Sequence, residues 1–131
     1  MREQREFVYD SGALIAVDSR RDSKQLGRHE WRLACGHHII VPAPVAAQAV
    51  RDPRRQARLM LTLRGCEIVP FEEDDVSPVG KLLARSGTSD VVDGLVALTA
   101  AKAIAAVVTS DPDDITHLLG TLGVRLAVLK P

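Results

Sequence analysis

The chain has 131 residues, 46% of them apolar and 26% charged, which fits one globular domain with a real core and excludes a disordered segment. Its 17 basic and 17 acidic side chains cancel, so no overall pull toward a polyanion is visible. Phe7, Tyr9, Trp31 and Phe71 are the full aromatic set, too sparse for a base-stacking nucleic-acid module.

The opening segment MREQREF carries charge and lacks the apolar run of a signal peptide. The longest apolar stretch, 95–108, is interrupted by Lys102 and too short to span a bilayer. Cys35 and Cys66 stand apart without CxxC or His-rich company, so neither a disulfide framework nor a zinc site is implied. A reducing cytoplasm is the expected location, with no membrane association.

In chain order, FVY (7–9) predicts a brief strand and SGALIAVDS a helix; 24–35 predicts a second helix. HIIVPA (38–43) is β-branched and reads as a buried strand. Pro44 opens a short helix through Val50, and Asp52-Pro53 restarts a helix that runs to Arg64 and stops at Gly65. CEIVPF (66–71) is the third strand, followed by a helix with an acidic first turn that ends near Gly87. The segment 88–105 is Ala-rich and apolar nearly all round, so it predicts a central helix. AVVT (106–109) is the fourth strand, PDDITHLLGTLG the next helix and RLAVL (125–129) the last strand.

None of these strands alternates polar with apolar, as expected of a parallel sheet covered on both faces. The alternation of strands and helices predicts one α/β domain over 1–131, a three-layer α/β/α sandwich around a central parallel sheet. Ligands of such sheets sit beyond the carboxyl ends of the strands.

Acids gather at that edge. Asp10 directly follows the first strand and Asp111 follows the fourth by two residues. Asp90 and Asp93 lie three apart at the start of the long helix, hence on one face of it. Each has a capping reading. Asp111 can N-cap the helix that Pro112 opens, with Asp114 completing a capping box; Asp10 and Asp90 can cap their own helices. Ser11, Thr88 and Ser89 would serve as caps without charge, so the repeated choice of Asp points to a need for charge. Two carboxylates about 5 Å apart repel by roughly 3 kcal/mol at an effective dielectric near 20. Three such pairs approach the stability of a whole domain, so the cluster needs protons or cations. Oxygen ligands without Cys or His favour Mg²⁺ or Mn²⁺.

With VYDSGALIAV, VVDGLVALTA and VVTSDPDDI in this order, and VPAPVAAQAVR between the first two, the chain resembles PIN domains of the VapC toxin type. The resemblance implies a PIN-like fold and a metal-dependent ribonuclease that cuts RNA until a cognate antitoxin binds it. It implies that Asp10, Asp93 and Asp111 are the catalytic, metal-holding acids, with Asp90 and Asp114 as accessory ligands. Gln48 stands where the second motif usually has Glu; it offers an oxygen but no charge. On this reading Mg²⁺ or Mn²⁺ activates water and stabilises the phosphoryl transition state. Ser11, Thr109 and Ser110 are candidates to orient water or phosphate. Arg51, Arg54, Arg55 and Arg58 are candidates for phosphate contacts that position RNA without reading its sequence. A homodimer is expected. His29, His37, His38 and His117 are not spaced as a metal site and read as structural.

Two other folds fail on their motifs. A receiver domain needs an acidic pair at strand one and an Asp after strand three, where this chain has Tyr9-Asp10 and Val69-Pro70-Phe71. A haloacid-dehalogenase-type phosphatase needs DxD where this chain has Asp10-Ser11-Gly12. The remaining alternative is a catalytically weak PIN-fold module that binds RNA or a protein partner.

Overall fold

The computed structural model describes residues 4–19 and 24–131; residues 1–3 of the charged opening segment lie outside the described residues. Five short strands form the sheet: β1 (Glu6–Tyr9), β2 (His38–Pro42), β3 (Glu67–Val69), β4 (Ala106–Val108) and β5 (Val128–Leu129). All pairings are parallel, in the order β3-β2-β1-β4-β5. On one face, α1 (Ser11–Asp18) packs against α2 (Lys24–Ala34), α3 (Ala43–Ala49) and α4 (Ala57–Arg64). On the other, α5 (Glu73–Ser86), α6 (Val91–Ala103) and α7 (Pro112–Leu122) pack on one another. This is the three-layer α/β/α arrangement that the strand pattern predicts.

The central strands are dry because both faces are covered: Val8, Tyr9, Val41, Val107 and Val108 have no exposed surface. The edge strand β3 is half open, with Ile68 exposed. In α6, Gly94, Leu95, Val96, Ala97 and Ala100 are buried, and small side chains let this helix lie close to β1 and β2. The order of strands sets where a ligand can sit. The chain builds β1, β2 and β3 outward in one direction, then crosses to place β4 and β5 on the other side of β1. That reversal opens a crevice between the carboxyl ends of β1 and β4, where open α/β sheets hold ligands.

The expected helix over 52–64 is in fact divided. A 3₁₀ turn (Pro53–Arg55) is followed by a break at Gln56, and α4 begins only at Ala57. The cause is the Gln56 side chain. Its oxygen accepts from the backbone N–H groups of Arg51 at 2.8 Å and Asp52 at 3.0 Å, while its nitrogen donates to Ala49 O at 2.9 Å. Asp18 Oδ1 then accepts from Leu59 N–H at 3.2 Å, tying the first turn of α4 to the end of α1. The third and last strands are also shorter than the apolar runs that carry them, since each pairs on one side only.

Three of the four histidines are structural, as expected. Arg32 Nη1 donates to Tyr9 Oη at 3.0 Å, and Tyr9 Oη lies 2.8 Å from His29 Nδ1 beneath α2. Burial, reinforced by the Arg32 charge, pushes the His29 imidazole down to about 4, so it is neutral and accepts the tyrosine proton at Nδ1. His37 packs edge-on against Phe7, and His38 bridges Glu6 and Glu67 across three neighbouring strands.

Candidate active site

Asp10 is the first residue past β1 and only 4% exposed. Its N–H donates to Val108 O at 3.0 Å, so the β1–β4 ladder runs up to the aspartate itself. Asp10 Oδ1 accepts from Ser11 N–H at 2.7 Å, and Oδ2 accepts from Thr109 Oγ1 at 2.9 Å. The Thr109 hydroxyl, fully buried, also accepts from Asp111 N–H at 3.0 Å. One hydroxyl therefore fixes both acid-bearing segments. Each Asp10 oxygen keeps a lone pair for a further ligand.

Gly12 explains how the two segments come so close. A Cβ at this position would stand 2.0 Å from Ser110 Oγ and 2.7 Å from Ser110 Cβ. Only the absence of a side chain lets the first turn of α1 lie against the loop between β4 and α7.

Asp111 occupies the N-cap of α7, yet its side chain makes no cap hydrogen bond. The capping role open to it in the sequence is not taken. Asp90 does cap α6, accepting from Asp93 N–H at 3.0 Å, which is why that helix opens at Val91 rather than at Thr88. Two clefts meet at Asp114. Asp90, Asp93, Asp114 and His117 line one, of about 300 Å³. Ser110, Asp111, Asp113, Asp114 and Lys130 line the other, of about 330 Å³.

Burial and the charges of Asp90, Asp10, Asp114 and Asp111, in falling order, push the Asp93 carboxyl up to about 7. Asp10 is also raised: burial outweighs the opposing hydrogen bonds from Ser11 and Thr109, and Asp111 and Asp90 add to it. The Asp93 carboxyl thus feels four other carboxylates, although Asp10, buried beneath the loop, lines neither cleft. Among the described residues, none of the five is in an ion pair. The donor set is all oxygen, which suits a hard divalent cation. Among the described residues, no three Asp, Glu, His or Cys side chains converge into a ready-made ion cage.

Of the remaining sequence candidates, Ser110 lines one acidic cleft, and Gln48 and the four arginines line neither. Gln48 is exposed on α3 and hydrogen-bonds to none of the aspartates among the described residues. Arg51, Arg54, Arg55 and Arg58 are exposed beyond the end of α3 and line neither acidic cleft. Arg51 closes α3 by donating to Ala47 O and Val50 O, and Arg55 pairs with Asp52 at 3.6 Å. Ser11 serves Asp10 through its backbone, and exposed Ser110 packs over Gly12. Three residues enter the site unannounced by the sequence: Gly12, Lys130 and His117. His117 Nε2 meets Ser86 O at 2.8 Å at the wall of the Asp93 cleft, a structural contact between α7 and α5 that also borders the site. Its place two turns into α7, on the face that carries Asp114, was the available signal.

A search of solved structures finds close architectural relatives. VapBC2 from Rickettsia felis, bound to a DNA fragment from its promoter, matches at TM-score 0.66 and 17% identity, covering 95% of this chain and 98% of that chain. FitAB bound to IR36 DNA matches at TM-score 0.65 and 14% identity, over 95% and 94% of the two chains. The fold is PIN-like. FitAcB from Neisseria gonorrhoeae gives the same answer at TM-score 0.62 and 15% identity, over 94% and 96%. No protein-family model and no curated protein matches the chain. Among the described residues, no helix is long and apolar enough to cross a membrane.

Proposed function

We propose that this chain is a metal-dependent endoribonuclease, the toxin of a toxin–antitoxin pair, with Mg²⁺ or Mn²⁺ held by Asp10, Asp93 and Asp111. What supports the proposal is that Asp10, at the end of β1, is tied through Thr109 to Asp111, while Asp90, Asp93, Asp111 and Asp114 line two clefts that share Asp114, none of them ion-paired among the described residues. Its PIN-like neighbours VapBC2 and FitAB support a toxin–antitoxin module and an antitoxin partner.

Each residue has a distinct task. Asp10 is the rigid anchor, since both its oxygens are already fixed by Ser11 and Thr109. Asp93 and Asp111 complete the donor set from the two clefts that share Asp114. Asp90 positions Asp93 by capping α6, and Asp114 adds charge where the clefts join. A bound Mg²⁺ or Mn²⁺ supplies a water of lowered pKa and stabilises the charge that builds on the phosphate. The acids act as ligands, not as general bases. Arg51, Arg54, Arg55 and Arg58 contact RNA phosphates away from the cut, and the working form is a homodimer.

A second reading has an observation of its own. Gln48 is neutral and exposed where the resemblance expects a carboxylate, so the chain would be a weakly catalytic module that binds RNA or protein. Incubating single-stranded RNA with the protein in Mn²⁺, in chelator, and as the Asp93→Asn variant decides between them. Cleavage that needs both Mn²⁺ and Asp93 supports the nuclease. Binding without Mn²⁺-dependent cleavage supports the weak module.

A further inference from the structure

The acidic edge is not wholly acidic. β5 pairs with β4 through Val107↔Val128 and Val108↔Leu129, and Thr109 N–H extends the ladder by donating to Leu129 O at 2.9 Å. This register delivers the next residue, Lys130, to the carboxyl edge of the sheet. There it lines the cleft of about 330 Å³ with Ser110, Asp111, Asp113 and Asp114. No other lysine or arginine lines either of the clefts that meet at Asp114, among the described residues.

Its state is informative. Lys130 is exposed, and among the described residues it is ion-paired with none of the aspartates around it. A lysine sharing a cleft with three carboxylates and committed to none keeps its ammonium hydrated and mobile on a four-carbon stem. Such a group is ready for an anion that arrives from solution. A polyanion entering this cleft meets Asp111, Asp113 and Asp114, and one positive charge among them lowers the electrostatic barrier to entry.

We propose that Lys130 is a substrate-binding residue that holds a backbone phosphate of RNA in the Ser110–Asp114 cleft. This rests on the ribonuclease reading above and adds the path of the strand. Lys130 shares its cleft with Asp111 and Asp114 but not with Asp93, so its phosphate lies beside the metal-holding acids rather than on them. The strand therefore runs along the β4–α7 loop, on the side of β5. The arginines beyond α3 lie at the other side of β1 and make a separate contact. As a point charge, Lys130 takes phosphate without reading a base.

The test uses a short fluorescein-labelled single-stranded RNA, with Mn²⁺ present and at several salt concentrations. Anisotropy gives affinity and cleavage gives kcat and KM, for the parent, Lys130→Ala and Lys130→Arg. Losing one counterion-releasing contact weakens binding about fivefold at 0.1 M salt and flattens the log–log salt slope by about 0.7. The expected result is that loss for Lys130→Ala, with kcat unchanged and Lys130→Arg near the parent. Equal affinity and slope in Lys130→Ala would overturn the proposal, as would a fall in kcat with KM unchanged. A parent that binds RNA but never cuts it refutes the nuclease reading alone, and the anisotropy comparison still judges Lys130. A parent that does not bind RNA at all overturns both.

Discussion

Thr109 Oγ1 lies 2.9 Å from Asp10 Oδ2 and locks the carboxylate that ends β1 to the first residue beyond β4. The same oxygen receives Asp111 N–H at 3.0 Å, so this hydroxyl is the joint between the two acid-bearing segments. Thr109→Val keeps the shape and leaves buried Asp10 Oδ2 and the part-buried Asp111 N–H without this partner. The expected cost is about 1–3 kcal/mol of stability, with Thr109→Ser recovering most of it. Urea denaturation of the three proteins measures this, and a Thr109→Val protein as stable as the parent would show that the joint carries no energy.

The sequence carried most of the fold. The dry runs at 7–9, 38–43 and 106–109 marked the three central strands, because strands covered on both faces have no room for polar alternation. It was weakest where a single side chain decides the path. Gln56 halts a helix by bonding to Arg51, Asp52 and Ala49, and no periodicity encodes that. The acids were legible because each follows a strand or opens a helix at one edge. Lys130 and Gly12 were not, since their importance comes from the register of β5 and the closeness of Ser110, which are tertiary facts.

Metal-free protein should lose stability as pH rises. The Asp93 carboxyl sits at about 7 when folded against an ordinary 3.8, and Asp10 is raised in the same direction. The folded state then keeps protons that the unfolded chain has released. This contribution is complete below about pH 4 and is lost as pH climbs through about 7. Partial exposure of Asp93 screens its size but not its sign. Melting curves from pH 4 to 8 in chelator check this, with Asp93→Asn flattening the decline. Mn²⁺ affinity should rise over the same window, because the cation must displace those protons.

Gly12 and Gly27 make a matched pair. An added Cβ at Gly12 meets Ser110 Cβ at 2.7 Å, whereas one at Gly27 in α2 meets nothing within 4 Å. Gly12→Ala should destabilise by about 1–3 kcal/mol through forced displacement of the β4–α7 loop. Gly27→Ala should stabilise by up to about 1 kcal/mol through helix propensity. Thermal melting of both variants tests the pair, and equal effects would remove the close-approach argument.

Gln48→Glu probes the second motif. A carboxylate there should tighten Mn²⁺ binding, since hard cations respond strongly to ligand charge count. It should also lower metal-free stability by adding repulsion to the aspartates, a loss that Mn²⁺ reverses. Calorimetric titration with Mn²⁺ and paired melting curves separate the two effects. If affinity and stability both match the parent, residue 48 lies outside the site.

On the proposed function, Asp10, Asp93 and Asp111 together hold a divalent cation at the carboxyl edge of the sheet. Anomalous diffraction from crystals soaked in Mn²⁺ tests it without any assay of activity. The account predicts a peak about 2 Å from carboxylate oxygens of Asp10 and Asp93, with Asp111 drawn toward it and no such peak in Asp93→Asn crystals. Manganese bound elsewhere, or no peak among these three aspartates at millimolar Mn²⁺ and neutral pH, would contradict it.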